Sequence, residues 1–477
     1  MSRAGAAADE RFHTDAFEAV WAADHDRALA SLHNAPWPGS NVMRARVYAQ
    51  KGLMDRVIVE RRRATELRGD REELAELAMI VAVMLAGRGR RVEAILALHE
   101  AEVIARELAD RALAAQYHLA AAQVELSSGN ADEARAALNV GFELTENFVD
   151  PGQPRDHRLE VNHVRARLFE LRAQLHALDY DYAAQLDDLC RAIATAKLVR
   201  HRDVWHEAGL LANISTVVGM FPEPSARLLL ATSGADVRWN PHLDAREMAV
   251  RLNIARSDML FGAGENIVPF SGRGAPSLAA RLGLDAERLL FGDWNDEPAQ
   301  YERELDFAAS LAASVEWDGV TGEEILGLAT LALLLAPHDL ERALAVKGLY
   351  DVMLTKLSRD AQSFLEPRRV AFDDLVSACL AKAQSDVRRA RELLDDCVAF
   401  WTARGMDPWR AIAALERYPL TRDPADLEPA RSFARERPHS RFSARLRAAL
   451  DGIAREPDRP FPYLRVVPSP SGEAATE

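Results

Sequence analysis

The chain of 477 residues carries 59 basic against 73 acidic side chains, a net charge of −14, with 48% hydrophobic and only 7% aromatic residues. Such a field repels phosphate, which disfavours nucleic acid and anionic membrane as partners. The abundance of Ala, Leu, Arg and Glu beside few aromatic residues favours helix over strand.

Cys190, Cys379 and Cys397 are too few and too scattered for a disulfide framework or a thiolate metal site, so buried thiols in a reducing compartment are expected. The N-terminal MSRAGAAADERF has acidic residues where a signal peptide needs an apolar core. The most apolar run, Ile325 to Ala336, is far shorter than the roughly 20 residues that span a bilayer. These features predict a cytoplasmic protein with no membrane partner.

Taken in chain order, a first helical hairpin is predicted over 41–68 around Gly52, and a second where GRRVEA (Gly89 to Ala94) follows a turn. The clearest unit is Leu113 to Asn147. There Tyr117, Ala121 and Val124 recur at helical steps, Gly129 and Asn130 break the pattern, and Asn130 with Glu133 has capping-box spacing. The signature returns at DYDYA (Asp179 to Ala183) and, more weakly, PEPSA (Pro222 to Ala226). Gly262, Gly264, Pro269, Gly272, Gly274 and Pro276 then interrupt the helical pattern. Beyond them, Thr321 and Glu324 open an apolar helix that Pro337 stops, and hairpins are expected from DLERALA (Asp339 to Ala345) and SDVRRARELL (Ser385 to Leu394). After Glu456 the proline-rich EPDRPFPYLRVVPSPSGEAATE predicts a mostly disordered tail, with 461–467 able to dock on the last helix.

Ala122, the Gly129-Asn130 turn, Asp132-Glu133-Ala134, Leu138 and Gly141 together resemble the tetratricopeptide family, in which small residues let paired helices approach closely. The anchors Ala94, Ala134, Ala183 and Ala226 are 40, 49 and 43 residues apart. Such spacings are looser than the family's usual 34 or so. They resemble the ligand-sensing arms of maltose-regulator and LuxR-type bacterial activators. The resemblance implies an all-α fold, a right-handed superhelix of helical hairpins in two arms. Its expected divisions are a solenoid over 1–262, an irregular hinge with a helix-turn-helix-like hairpin over 263–300, a second arm over 301–455, and the tail over 456–477.

Within SLAARLGLDAERLLFGDW, Ala279, Gly283 and Leu289 stand where helix-turn-helix units pack at their turn, which raises direct DNA binding through 277–294. Asp285 and Glu287 at the head of the would-be recognition helix argue against it. His201 and His206 fall five apart rather than at the i,i+4 spacing of paired zinc ligands, and His157, His163 and His176 are no better placed. No phosphate loop follows Gly272 and Gly274, and no GxSxG elbow occurs. No metal, cofactor or catalytic residue is therefore expected.

A solenoid offers a concave face lined by first helices. On those helices Arg44, Tyr48, Gln116, Tyr117, Gln123, Asn162, Arg165, Asn213, Arg251, Asn253 and Arg256 are polar or amphipathic within apolar periods, and they form the candidate partner-binding groove. The leading expectation is a non-enzymatic regulatory or adaptor protein that holds a protein or peptide partner there. A receptor for a small-molecule or peptide signal, acting on transcription through a partner, is the alternative, and homodimerisation stays open.

Overall fold

The computed structural model describes residues 14–33, 35, 39–67, 69–146, 159–199, 201–221, 224–237, 239–262, 278–292, 294, 297–315, 322–356 and 359–466. Among them the protein is all-helical, with no strand. None of its helices is long and apolar enough to cross a membrane. The expected hinge residues 263–277, and with them Thr321, His157 and the tail from 467 onward, lie outside the described residues.

Two compact units are formed. The first holds the described residues up to Ile214, Thr232–Arg246 and the start of α18; the second holds Ser215–Ala231 and most of the chain from Glu247 onward. The division thus falls inside helices, whereas the composition break at 262–298 lies within the second unit's range.

In the first unit, α1 (14–21) and α2 (His25–Leu32) precede four hairpins. These are α3 (Ser40–Gln50) with α4 (Met54–Glu66), α5 (Arg71–Gly87) with α6 (Arg91–Leu108), α7 (Arg111–Ser127) with α8 (Ala131–Thr145), and α9 (Val161–Leu178) with α10 (Tyr182–Ala196). α11 (Val204–Val218), α12 (Pro224–Asp236) and α13 (Asp244–Phe261) come next in the chain. First helices also touch in series, α3 on α5, α5 on α7, α7 on α9. Aspartates start several helices: Asp110 accepts from the Ala112 and Leu113 amides at 2.9 and 3.0 Å, and Asp181 from Ala184 at 3.0 Å. Asn130 does stand at the N-cap of α8, but the expected capping box is absent, because its side-chain amide is drawn to the Glu125 carboxylate instead.

Each hairpin turns through one left-handed residue, as Gly129 does at φ +82°, with open space where a Cβ would stand. In α9/α10 that place is taken by Tyr180 at φ 61°.

The second unit contains α14 (Leu278–Phe291), α15 (Pro298–Ser314), α16 (Gly322–Leu335), α17 (Leu340–Lys356), α18 (Arg359–Ala383), α19 (Val387–Ala403), α20 (Asp407–Thr421), α21 (Glu428–Glu436) and α22 (Arg441–Arg455). The apolar run of α16 is an inner helix, with Ile325 and Leu328 to Ala336 buried; even Thr330, whose hydroxyl donates to the Leu326 carbonyl, is only 2% exposed. The helix-turn-helix expectation is corrected here, since Leu278–Phe291 is one unbroken helix. Its Gly283 serves a close crossing rather than a turn: a Cβ on Gly327 of α16 would sit 2.7 Å from the Gly283 Cα.

Between α18 and α19 the exposed Ser385 adopts φ 65°, a conformation that costs an L-residue with a Cβ about 1 kcal/mol or more. Ser385→Gly is expected to raise stability by about 0.5–1 kcal/mol, because relief of that strain outweighs the added freedom of the unfolded chain. A urea midpoint unchanged or lowered in the variant would contradict this account.

Residues 456–466 are seated rather than loose. Phe461, Tyr463 and Leu464 are buried, Tyr463 packs edge-on to Phe442 of α22 at 5.8 Å, and the Arg445 guanidinium lies 4.8 Å over its ring. The docking of this segment on the last helix is therefore seen for the part that is described.

Candidate functional site

The first unit forms a half-open cavity of about 380 Å³. Its wall is drawn from α1, α3, α5, α7, α9, α11, the start of α13 and two adjoining residues, Leu159 and Asp203. The second helices α4, α6, α8 and α10 contribute none of it. The stacking of first helix on first helix creates this inner face. Its volume falls in the ~300–1,000 Å³ range of small-molecule sites.

One part of the wall is apolar, led by Met79, Ile80, Val83 and Met84 on α5 and Leu119 and Ala120 on α7. The other part is densely charged. Arg46 donates to Glu76 at 2.8 Å, Arg167 to Asp203 at 2.8 Å, and Glu170 holds His206 Nε2 at 2.8 Å and the Asn213 amide at 3.1 Å. Arg246 differs from the other two arginines. Its guanidinium lies over the Trp205 ring at 3.9 Å, it donates to the Trp205 carbonyl, and no carboxylate among the described residues reaches it as an ion pair.

Burial sets the electrostatics. It pulls Arg46 below the ordinary guanidinium range and brings Arg246 down to about 10, the attraction of Glu170 and Asp203 offsetting only part of that loss. Burial would raise Asp203, but Arg167, His206 and His163 together hold it at about 2. Glu170 is likewise lowered against its burial by His206, Arg167 and Arg246. The carboxylates are thus kept ionised, and since Glu170 is a charged acceptor, His206 Nε2 carries the proton. Among the described residues, no Ser, Thr, Cys, Tyr or Lys stands in the wall. What the arrangement supplies is charge, hydrogen bonds and two indole faces, Trp21 and Trp205.

Three donors or acceptors in this wall are buried and unmatched: Trp21 Nε1, Arg167 Nε and His206 Nδ1 have no hydrogen-bond partner among the described residues. Trp21 and His206 are each 6% exposed. Buried polar groups are ordinarily satisfied, so three unmatched in one wall suit a site completed by a ligand.

The eleven groove residues expected from sequence separate. Gln116 and Gln123 line the cavity, and Asn213 stands behind it, holding Glu170. Tyr117 belongs to a separate depression with His118, Glu102 and Arg106. Tyr48, Asn162 and Arg165 are half-buried on first helices without lining the cavity. Arg44 is 4% exposed and committed to Glu60 at 2.8 Å, Asn41 at 2.6 Å and the Leu32 carbonyl at 2.8 Å, so it ties α2, α3 and α4 together instead of facing a partner. Arg251, Asn253 and Arg256 lie in the second unit. There Asn253 is fully buried, Arg256 pairs with Glu287 at 2.9 Å, and Arg251 donates to Glu247 at 2.5 Å.

Trp21, Arg46, Glu76, Arg167, Glu170, Trp205, His206 and Arg246 were not among the residues expected from sequence. One signal was available: Glu76 is a lone acid inside LAELAMIVAV, and an isolated charge in so apolar a helix must find a partner or a ligand. No family model matches this chain, and no curated protein matches it in sequence.

Proposed function

We propose that the protein is a non-enzymatic cytoplasmic receptor of regulatory type, whose first unit takes a small ligand into the cavity walled by α3, α5, α7, α9 and α11. In this reading the stacked hairpins are a tetratricopeptide-like solenoid, and the cavity is part of its inner face. The observation that carries it is the convergence of polar groups from successive first helices on one cavity, with buried polar atoms left unmatched. The receptor reading is preferred to a groove for an extended partner because Gln116 and Gln123 alone, of the eleven groove residues, reach the cavity. A protein partner would then respond to the ligand-bound state.

The test is a thermal-shift screen of a small-metabolite library against the wild type and Ala49→Phe, which fills the cavity from α3. A ligand at about 100 times its Kd stabilises by about 2.7 kcal/mol. At least one compound should raise the wild-type midpoint and leave the variant unmoved. A library without effect on the wild type, or with equal effect on both, defeats the proposal.

A further inference from the structure

Resting on that receptor reading, the chemistry of the wall narrows the ligand. The cavity holds three guanidinium groups and three carboxylates, and two of each are mutually committed as Arg46 with Glu76 and Arg167 with Asp203. Glu170 is shared between His206 and Asn213. One cation, Arg246, is therefore left half-buried in the wall without a directly bonded carboxylate among the described residues.

Arg246 is also pre-oriented. Its plane is fixed by the indole of Trp205 at 3.9 Å and by a bond to the Trp205 carbonyl, and it crosses α11 where Gly209 leaves room. A Cβ at position 209 would stand 2.9 Å from Arg246 Nη1. A guanidinium held flat with donors remaining is suited to a planar two-oxygen acceptor. Two of the three unmatched groups point the same way, because the Trp21 Nε1–H and Arg167 Nε–H are donors and require acceptor oxygens from whatever enters, while His206 Nδ1 is left to accept a donor. A single negative charge is the limit: a dianion would face Glu76, Glu170 and Asp203 with one cation to meet it. The α5 wall of Met79, Ile80, Val83 and Met84 asks for an apolar body beyond the charged end.

We propose that the cavity binds a small organic molecule carrying one carboxylate on an apolar body, with the carboxylate seated on Arg246. Phosphate esters and neutral amides are rejected, the first by the three fixed acids and the second by failing to match the half-buried cation.

The experiment is isothermal titration of the full chain at about pH 8.5 with phenylacetate, 4-phenylbutyrate and hexanoate, each beside its primary amide, with benzylphosphonate, a dianion at that pH, and a leucine-ended hexapeptide as a longer carboxylate. At least one small carboxylate should bind roughly tenfold or more tighter than its amide and the phosphonate, a difference of one charge-assisted contact. Arg246→Gln should remove that preference, and Arg246→Lys should restore part of it. Gly209→Ala, which adds a favourable helix residue while displacing the guanidinium, should weaken the carboxylate to a similar degree with folding intact. Equal binding of acid and amide, or binding untouched in both Arg246→Gln and Gly209→Ala, overturns the inference and leaves the receptor reading standing. Binding of the hexapeptide without any small carboxylate overturns it in favour of a chain end. Absence of binding by every probe overturns it as well, and the metabolite screen then decides the receptor reading separately.

Discussion

Glu416→Ala is expected to lower stability by about 3–5 kcal/mol and to release residues 456–466 from the second unit. The Glu416 side chain is fully buried, and both of its oxygens are engaged. Oε2 takes Lys382 Nζ at 2.7 Å, while Oε1 accepts the backbone amides of Tyr463 and Leu464 at 3.0 and 3.1 Å. The ammonium also lies 4.6 Å over the Phe461 ring and donates to the Glu416 carbonyl at 2.7 Å. Truncation to Ala would strand a buried ammonium, only 4% exposed, and leave two buried amides without acceptors. Those losses exceed the modest net value of the ion pair itself, because the desolvation of Lys382 is then uncompensated.

Two readouts separate this from ordinary loss of packing. Urea unfolding should shift in Glu416→Ala, and limited proteolysis should open first at Arg465, the trypsin site of the docked segment, since Arg459 precedes Pro460. Glu416→Gln keeps the amide acceptor and loses the charge, so it should retain protection of the segment better than Ala does. A change below about 1 kcal/mol in the Ala variant would mean that water reaches Lys382 and that the segment is held by Tyr463 and its aromatic neighbours alone.

The same segment shows what the sequence could and could not reveal. Its prolines suggested disorder, yet Phe461, Tyr463 and Leu464 supply the apolar surface that docks, and the acceptor that holds its amides, Glu416, is nearly fifty residues away in sequence. Helices were readable because Gly52, Gly89 and Gly129 mark left-handed turns and the apolar periods are regular. Residues 278–291 misled because Gly283 in a helix–helix crossing and Gly in a turn look alike until the neighbour, Gly327, is known. The site was the least legible part. Arg44 and Arg46 lie two residues apart on α3, about 200° around its axis, so one is spent on Glu60 and the other faces the cavity. Polarity within the helix marks the two alike, and Arg44 rather than Arg46 was the one expected at the groove; the choice belongs to packing across hairpins. Arg246 is hidden further, since its meaning comes from having no carboxylate partner among the described residues, which only three dimensions disclose.

Acidification should weaken the first unit between pH 6.5 and about 4, through two histidines that the fold keeps neutral. His163 is 1% exposed and stacked on Trp21 at 4.8 Å. Its Nε2 faces the His201 carbonyl at 2.9 Å, and its Nδ1 accepts from the Glu160 amide at 3.3 Å. Both nitrogens are thereby assigned, and a second proton on Nδ1 would confront an N–H. Burial, aided by Arg167 and His206 against the opposing pull of Asp203, brings His163 down to about 4. His25 is 2% exposed, bonded to Gln50 at 2.9 Å and 4.6 Å from the His242 ring; burial and then His242 and Lys51 bring it to about 4, with Gln50 and Asp26 opposing. For a base whose folded pKa lies below its unfolded value of about 6.5, stability is complete above pH 6.5 and is lost as the pH falls toward the folded value. Each site has a ceiling of roughly 3 kcal/mol at pH 4. His118, also lowered, adds the same sign, and Glu73, raised by burial, works the other way near pH 4.5, while Asp203 at about 2 titrates outside the window. Urea midpoints of the wild type should fall steeply from pH 7 to pH 4.5. His163→Asn should start less stable at pH 7 and show a shallower slope, because the group that must charge is gone. A slope as steep in His163→Asn and in His25→Gln as in the wild type would assign the acid sensitivity to other groups and remove the two buried rings from the account.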